Sequence, residues 1–213
     1  MRSADDEYGA VAPIYDAATA WALDSLRQEL SEAVGRERAG RVLDICCGTG
    51  RQCLFYAKAG RDAVGLDLSW GMIRKAARLE KAQAVQMDFV RGDACRLPFP
   101  DASFAACTIA LALHEKPSGM RPVILAEMVR VTVPEGLIGV VDYLSPQTGV
   151  QYALGLAVKA VERLAGRDHH AHYADYMRQG GLEGLLERQG IRTIEVRRRL
   201  FSLIGIALLR RPA

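Results

Sequence analysis

The stretch Arg41 to Gly50, RVLDICCGTG, gathers an acidic residue, two cysteines and two glycines into one short run. Val42, Leu43 and Ile45 read as a buried strand with Asp44 near its end. Cys47-Gly48-Thr49-Gly50 then turns tightly into a helical pattern over Gln52 to Ala59, closed by Gly60. Such a turn is a ligand cradle. Gly48 and Gly50 let backbone come within contact distance of a ligand, and the helix start adds unpaired N–H groups and the positive end of its dipole. Asp67 ends a second strand pattern, Asp62 to Leu68, 17 residues beyond Gly50. An acidic residue at about that spacing sits past the strand end, where its carboxylate can accept both hydroxyls of a ribose. Ser69, next in the chain, is the better cap for the helix Trp70 to Leu79. The dinucleotide fingerprint G-x-G-x-x-G is not completed, because Cys53 occupies its third position.

Two further groups could do chemistry. His114-Glu115 is a polar pair leaving a nearly continuous apolar strand, Phe104 to Leu113. Histidine titrates near neutral pH and could take a proton from a hydroxyl or an acidic carbon; it could equally be a hydrogen-bonded residue that shapes a pocket. Further on, His169, His170 and His172 put three histidines in four positions. No cysteine or carboxylate cluster completes a metal site nearby in sequence, so no metal is expected. The five cysteines, at 46, 47, 53, 95 and 107, form no C-x-x-C pair. They are expected to be reduced and mostly buried, in a cytoplasmic protein.

The elements that must position these residues fit one domain over 1–213, since half of the chain is hydrophobic and one sizeable core can be buried. A formal net charge of +3, with no long basic block apart from Arg197 to Arg199, does not imply a nucleic-acid partner. No run is apolar enough to cross a bilayer. In order, the chain predicts a polar, disordered Met1 to Asp6 and an N-terminal helix over about 13–34. A third strand follows over Ala84 to Arg91, then a helix over Met120 to Val131 with Val123, Ile124, Met128 and Val131 inward. Pro134-Glu135-Gly136 turns into a fifth strand, Leu137 to Tyr143. A largely apolar helix over Val150 to Ala165 lies in an insertion of about 148–172; it could wall an apolar pocket, make a dimer face or cover the sheet. A helix over Tyr176 to Gln189, ended by Gly190, precedes a hairpin of Ile191 to Arg199 and Ser202 to Arg210. Arg197 to Arg199 alternate in direction on a strand and so form a solvated edge rather than a flat basic patch.

The motif D-x-C-C-G-T-G resembles the nucleotide-proximal motif of class I S-adenosylmethionine-dependent methyltransferases, D/E-x-G-x-G-x-G, most closely the quinone-biosynthesis group. Cys46 departs from the pattern at a position where a small residue can serve. A second block strengthens the likeness: Gly92-Asp93-Ala94, then Leu97-Pro98-Phe99-Pro100-Asp101-Ala102-Ser103-Phe104, is similar to the family's link between strands three and four. Leu125 to Gly136 is similar to its L-x-E-x-x-R-V-x-x-P-G-G pattern, and Ala12 to Asp16 to its N-terminal A-x-x-Y-D signature.

The resemblance implies a Rossmann-like α/β fold: a doubly wound, seven-stranded, mostly parallel sheet with an antiparallel last strand and helices on both faces. It implies S-adenosylmethionine as cofactor, held by Cys46, Gly48, Gly50, Asp67 and Leu68, with Asp93 and Ala94 at the adenine. Asp44 would orient the glycine turn or reach the ammonium group through water. Tyr15 would face the amino-acid end, and Tyr8 the methyl group, unless both tyrosines only pack a lid helix. His114 would stand where the reactive methyl lies, and the His169 segment would be a substrate-facing loop. The implied activity is methyl transfer to a small-molecule acceptor, apolar or aromatic in kind, in a protein that could be a homodimer. A non-catalytic module binding the same cofactor and a nicotinamide-dependent oxidoreductase are the alternatives. The N-P-P-Y/F motif of many nucleic-acid methyltransferases is absent after strand four, where the chain reads Leu113-His114-Glu115-Lys116-Pro117.

Overall fold

Short runs of aliphatic and small residues make the central strands, and their burial shows why. β1 (Val42–Ile45) is buried throughout, β2 (Ala63–Asp67) is buried up to its last residue, and β4 (Phe104–Ala110) is buried over most of its length. Strands covered on both faces need no polar alternation. The computed structural model describes residues 23–37, 40–164 and 167–212, and the side chains of these outside 157–168. β3 (Asp88–Arg91), β5 (Thr132–Tyr143), β6 (Thr193–Arg199) and β7 (Ile204–Arg210) complete a seven-stranded sheet of order β3-β2-β1-β4-β5-β7-β6. The first five strands in that order pair in parallel, and β7 runs antiparallel to both its neighbours. This is the expected fold.

Residues 23–35 form a helix, α1. It is followed by α2 (Arg51–Lys58), α3 (Trp70–Gln83), α4 (Met120–Val131), α5 (Gly149–Leu164), α6 (Arg167–Arg178) and α7 (Gly181–Gln189). The expected lid helix is thus described only in its second half; Tyr8, Pro13 and Tyr15 lie outside the described residues. Ser69 caps α3 as expected, its hydroxyl accepting from the Met72 amide at 3.3 Å. No helix among the described residues is long and apolar enough to cross a membrane.

Strand order reverses between β1 and β4, so the loops leaving the carboxyl ends of these strands part and open a crevice there. The registers Ile45 with Leu66 and Ile45 with Ile109 bring the ends of β1, β2 and β4 level. β4 with β5 adds Ala110 opposite Val141. The glycine turn, Asp67, His114 and Asp142 therefore share one edge of the sheet.

Four expectations are corrected. Pro134-Glu135-Gly136 is not a turn before β5 but a bulge within it: Glu135 has φ 59° and the β4 register shifts between Phe104 and Ala106. The Glu135 and Gly136 backbone bonds Arg211 on the other side, which keeps the bulge in the sheet. The helix read over Tyr176 to Gln189 is two helices, broken where Gly180 and Gly181 adopt φ of 90° and 59°, values that side chains resist. His169, His170 and His172 are helical, within α6, and not in a loop. Val123 on α4 is 43% exposed, while Ile124, Leu125, Met128 and Val131 are buried. Ile124, Met128 and Val131 are inward as read, and Arg121 and Leu125 share the buried face in place of Val123.

The arginines of β6 do alternate, and they are ion-paired rather than merely solvated. Arg197 and Arg199 reach Glu29 on α1, at 3.2 and 2.6 Å, while Arg198 pairs with Glu183 on α7. Opposite faces of this strand are thereby tied to different helices.

Candidate active site

The turn after β1 is built by backbone. The Cys47 amide donates to Leu66 O at 3.0 Å, and the Gly50 amide to Cys47 O at 2.9 Å. Gly48 has φ 53°, and nothing lies within 4 Å of where its side chain would begin. This is the open face of the cradle. Gly50 serves packing instead, because a Cβ there would meet Ala76 and Phe89 at 2.9 Å. α2 begins directly after it with no side-chain cap and no acidic residue in its first turn, so its N-terminal end offers positive potential without an internal partner. Arg51 in that first turn is held by Asp24 of α1 through two bonds of 2.9 and 2.6 Å, which couples α1 to the cradle.

Asp67 closes β2 and grips the turn. Its Oδ2 accepts from the Gly48 amide at 2.9 Å and its Oδ1 from the Ser69 amide at 2.9 Å. Each carboxylate oxygen keeps acceptor capacity beyond those bonds, as a ribose diol requires. Leu68 beside it is 63% exposed, an apolar face next to the Asp67 carboxylate. The Gly92 amide donates to Asp67 O at 3.0 Å, which sets the Asp93-Ala94 turn alongside. Asp93 uses Oδ1 to accept from the Cys95 amide at 2.9 Å, so the Asx turn forms, and the residue is exposed. Ala94 is buried.

Asp44 lies beneath the turn, 2% exposed. It accepts from the Thr108 hydroxyl at 2.9 Å, and Thr108 in turn receives the Tyr56 hydroxyl at 3.0 Å. Burial pushes the Asp44 carboxyl up to about 7, against the pull of the Thr108 bond. Its hydrogen bonds thus run to β4 and toward α2 rather than to the glycines. Cys46 has φ 55°, and burial pushes its thiol up to about 12, so it stays protonated and is no nucleophile.

A left-handed conformation costs a side-chain-bearing residue about 1–2 kcal/mol, roughly what glycine would lose through unfolded-state entropy. Cys46→Gly is therefore expected to change stability by less than about 1 kcal/mol, and Cys46→Val, β-branched at positive φ, to destabilise by more than that. Denaturant unfolding of both variants checks it; equal losses would contradict the strain argument.

His114 falls in a single 3-10 turn, Leu113–Glu115, after β4, and is 3% exposed. Its Nδ1 meets Asp142 Oδ1 at 2.7 Å. Asp142, fully buried at the end of β5, also accepts from the amides of Leu113, His114 and Tyr143 at 2.8 to 3.2 Å. Three amides fix the carboxylate, and the carboxylate fixes the ring. Tyr143, Tyr173 and Tyr176 stand edge-on around it, with ring centroids 4.8 to 6.4 Å away.

Sequence reasoning places Asp142 and Tyr143 on the ligand side by topology but gives neither a specific role, and the bond from Asp142 to His114 is what it lacks. Glu115 was read only with His114, yet its Oε1 lies 3.1 Å from His169 Nε2. The absence of a nearby carboxylate, the ground for setting metal aside, therefore does not hold in three dimensions. Nothing local in the chain signals that contact, which depends on α6 packing against the 3-10 turn.

A sheet of this order, with a glycine turn after its first strand and a carboxylate closing its second, is the arrangement that the resemblance to class I methyltransferases implies. Comparison with known proteins agrees. Residues 42–136 match the family model described as a methyltransferase domain. The demethylmenaquinone methyltransferase of Renibacterium salmoninarum is 41% identical over 123 residues, 58% of this chain and 49% of that protein. That of Geobacillus kaustophilus is 34% identical over 115 residues, 52% of this chain and 48% of that protein. The chain spans about half the length of the curated relatives it matches. Among solved structures, an S-adenosylmethionine-dependent methyltransferase from Aquifex aeolicus superposes with TM-score 0.61 at 15% identity, covering 86% of this chain and 88% of that one. One from Methanosarcina mazei gives 0.63 at 19%, covering 82% and 93%. Residues 42–136 thus match a methyltransferase domain, and the fold is that of the solved methyltransferases.

Proposed function

We propose that the protein transfers a methyl group from S-adenosylmethionine to a small-molecule acceptor by in-line attack on the sulfonium methyl. The observation that carries this reading is the Asp67–Gly48 bond, which sets a carboxylate beside the open face of the cradle. The residues present fit the cofactor: Asp67 for the ribose, Leu68 and the Asp93-Ala94 turn for the adenine, and the uncapped start of α2 for the carboxylate of the amino-acid end. When bound, S-adenosylmethionine supplies an activated methyl on a leaving thioether. The chain's own contribution is position, and holding reactants at near-attack separation accounts for about 7–11 kcal/mol of barrier.

His114 marks the acceptor end. With Nδ1 committed to Asp142, proton exchange with an acceptor falls to Nε2. The names of the curated relatives favour an aromatic, quinone-related acceptor. An apolar acceptor or a second copy of the chain also suits α5, where Val150, Tyr152 and Leu156 are each more than 60% exposed. The cytoplasm is the proposed location.

Parallel calorimetric titration with S-adenosylmethionine, S-adenosylhomocysteine and NAD tests the cofactor; binding of NAD alone would overturn the reading. Methyl release to an acceptor then separates an enzyme from a binding module. His114→Ala is expected to lower turnover by roughly 10²–10⁴-fold, the usual range for a lost proton-transfer group, with cofactor affinity within about twofold. Asp142→Asn should act in the same direction by releasing the ring. A His114→Ala protein with full turnover would remove His114 from the acceptor site.

A further inference from the structure

We infer that His114, Glu115 and His169 form a binding site for a divalent transition-metal ion at the acceptor end of the crevice. Their ligand atoms all lie within 4.8 Å of one another. Glu115 Oε1 is 3.1 Å from His169 Nε2 and 3.9 Å from His114 Nε2. An ion about 2.0–2.1 Å from each of three tetrahedral ligands holds them roughly 3.3 Å apart, between the two distances seen. A small rotation of the His169 imidazole on its own side-chain bonds completes the set.

Three features distinguish this cluster from a chance meeting of polar side chains. First, His114 carries the partner that metal-binding histidines usually have: Asp142 takes its Nδ1–H at 2.7 Å, which selects the tautomer with the Nε2 lone pair directed at Glu115. Asp142 is itself immobilised by the amides of Leu113, His114 and Tyr143. Second, Glu115 presents one oxygen, Oε1, to both imidazoles, at 3.1 Å from His169 and 3.9 Å from His114. Lys116 Nζ stands 4.0 Å from Oε2, the carboxylate oxygen turned away from the imidazoles. Third, the donors come from separate elements, the turn after β4 and helix α6, so the ion would cross-link α6 to the sheet edge.

Two imidazoles and one carboxylate suit Zn²⁺ or Co²⁺ better than Mg²⁺ or Ca²⁺, which prefer all-oxygen sites. Three protein ligands leave an open position, the pattern of sites that bind a substrate rather than of closed structural sites. With the ion bound, His114 Nε2 is a ligand and the ion takes over the proton-exchange role: an acceptor hydroxyl taken there would lose its proton more readily, as water does on such ions. The acceptor class this selects is a phenol or enol. That last step rests on the methyl-transfer reading; the metal site itself does not.

The test uses the tag-free full chain, stripped with chelator and titrated with Co²⁺ while visible absorbance and heat are followed. A single equivalent should bind, with the absorption bands of a four- or five-coordinate ion, and Zn²⁺ should displace it and raise Tm. His169→Ala and Glu115→Gln should abolish the bands in proteins whose circular dichroism is unchanged. Asp142→Asn should weaken binding by roughly 10–100-fold. His172→Ala, on the same helix but outside the cluster, should retain the bands. Absence of the bands in the folded protein, or bands that survive in His169→Ala, overturns the site and leaves only a Glu115–His169 ion pair. S-adenosylmethionine is titrated into the same stripped protein. Its binding without Co²⁺ binding sinks the metal site alone, whereas Co²⁺ binding without it sinks the methyl-transfer reading alone.

Discussion

Asp67→Ala is expected to weaken S-adenosylmethionine binding by about two to four orders of magnitude, because two hydrogen bonds to a charged acceptor are each worth about 1.5–3 kcal/mol. The carboxylate has a double function, and both parts are lost together. On the proposed reading it offers acceptors to a ribose diol, and it holds the Gly48 and Ser69 amides, each at 2.9 Å, so the cradle itself loosens. Asp67→Asn separates the two functions. The amide oxygen can still accept from one backbone N–H, while the amide nitrogen can accept nothing, so an intermediate loss is expected. Both side-chain oxygens lie at the crevice rather than in the core, and folding stability should fall far less than affinity does. Calorimetric titration with the cofactor checks the first effect and denaturant unfolding the second. Unchanged cofactor affinity in Asp67→Ala would end the ribose assignment.

The cradle was legible in the sequence because its determinants are local. A four-residue apolar strand, a turn of small residues and a carboxylate at the next strand end lie within one βαβ unit, whose handedness and order are nearly fixed. The sheet was legible for a similar reason, since strands buried on both faces leave continuous apolar runs. The contacts that hold His114 were not. His114, Asp142 and His169 lie on three elements far apart in the chain, and their meeting follows from β5 lying beside β4 and from α6 closing over both. No spacing rule carries that information. The break at Gly180 was missed because the surrounding residues keep helical composition, and only the paired glycines at positive φ interrupt it. The bulge at Glu135 was read as a turn because proline and glycine mark both, and what distinguishes them is the pairing with Arg211. Val123 was read as inward because apolar character alone was counted, whereas the buried face also holds a charged residue.

That residue, Arg121, carries the largest expected effect on folding. It is 1% exposed and lies between the turn after β4 and helix α6. Its Nε donates to Leu113 O and Lys116 O at 3.2 and 3.0 Å, one Nη to Asp175 at 3.1 Å and the other to His172 O at 2.9 Å. The guanidinium lies 5.0 Å from the Tyr176 ring centroid. Methionine at this position keeps much of the apolar volume but leaves three carbonyls without this donor, and Arg121→Met is expected to destabilise by about 3–5 kcal/mol, the usual result of breaking a buried charged network from one side. For a domain of this size that lowers Tm by on the order of 10 °C. Asp175 limits the loss, because it is 31% exposed in its side chain and also accepts from Gln179 at 2.9 Å, so its charge is not stranded. Lysine keeps the charge but cannot span four acceptors with one nitrogen, and Arg121→Lys should recover less than half of the difference. Calorimetric unfolding of the two variants measures this, and a loss under about 1 kcal/mol for methionine would show that the carbonyls find other donors. Because Arg121 fixes α6 against the His114 turn, the same substitution should disturb the acceptor end while sparing the cradle: cofactor affinity in the folded variant stays near wild type, and turnover falls.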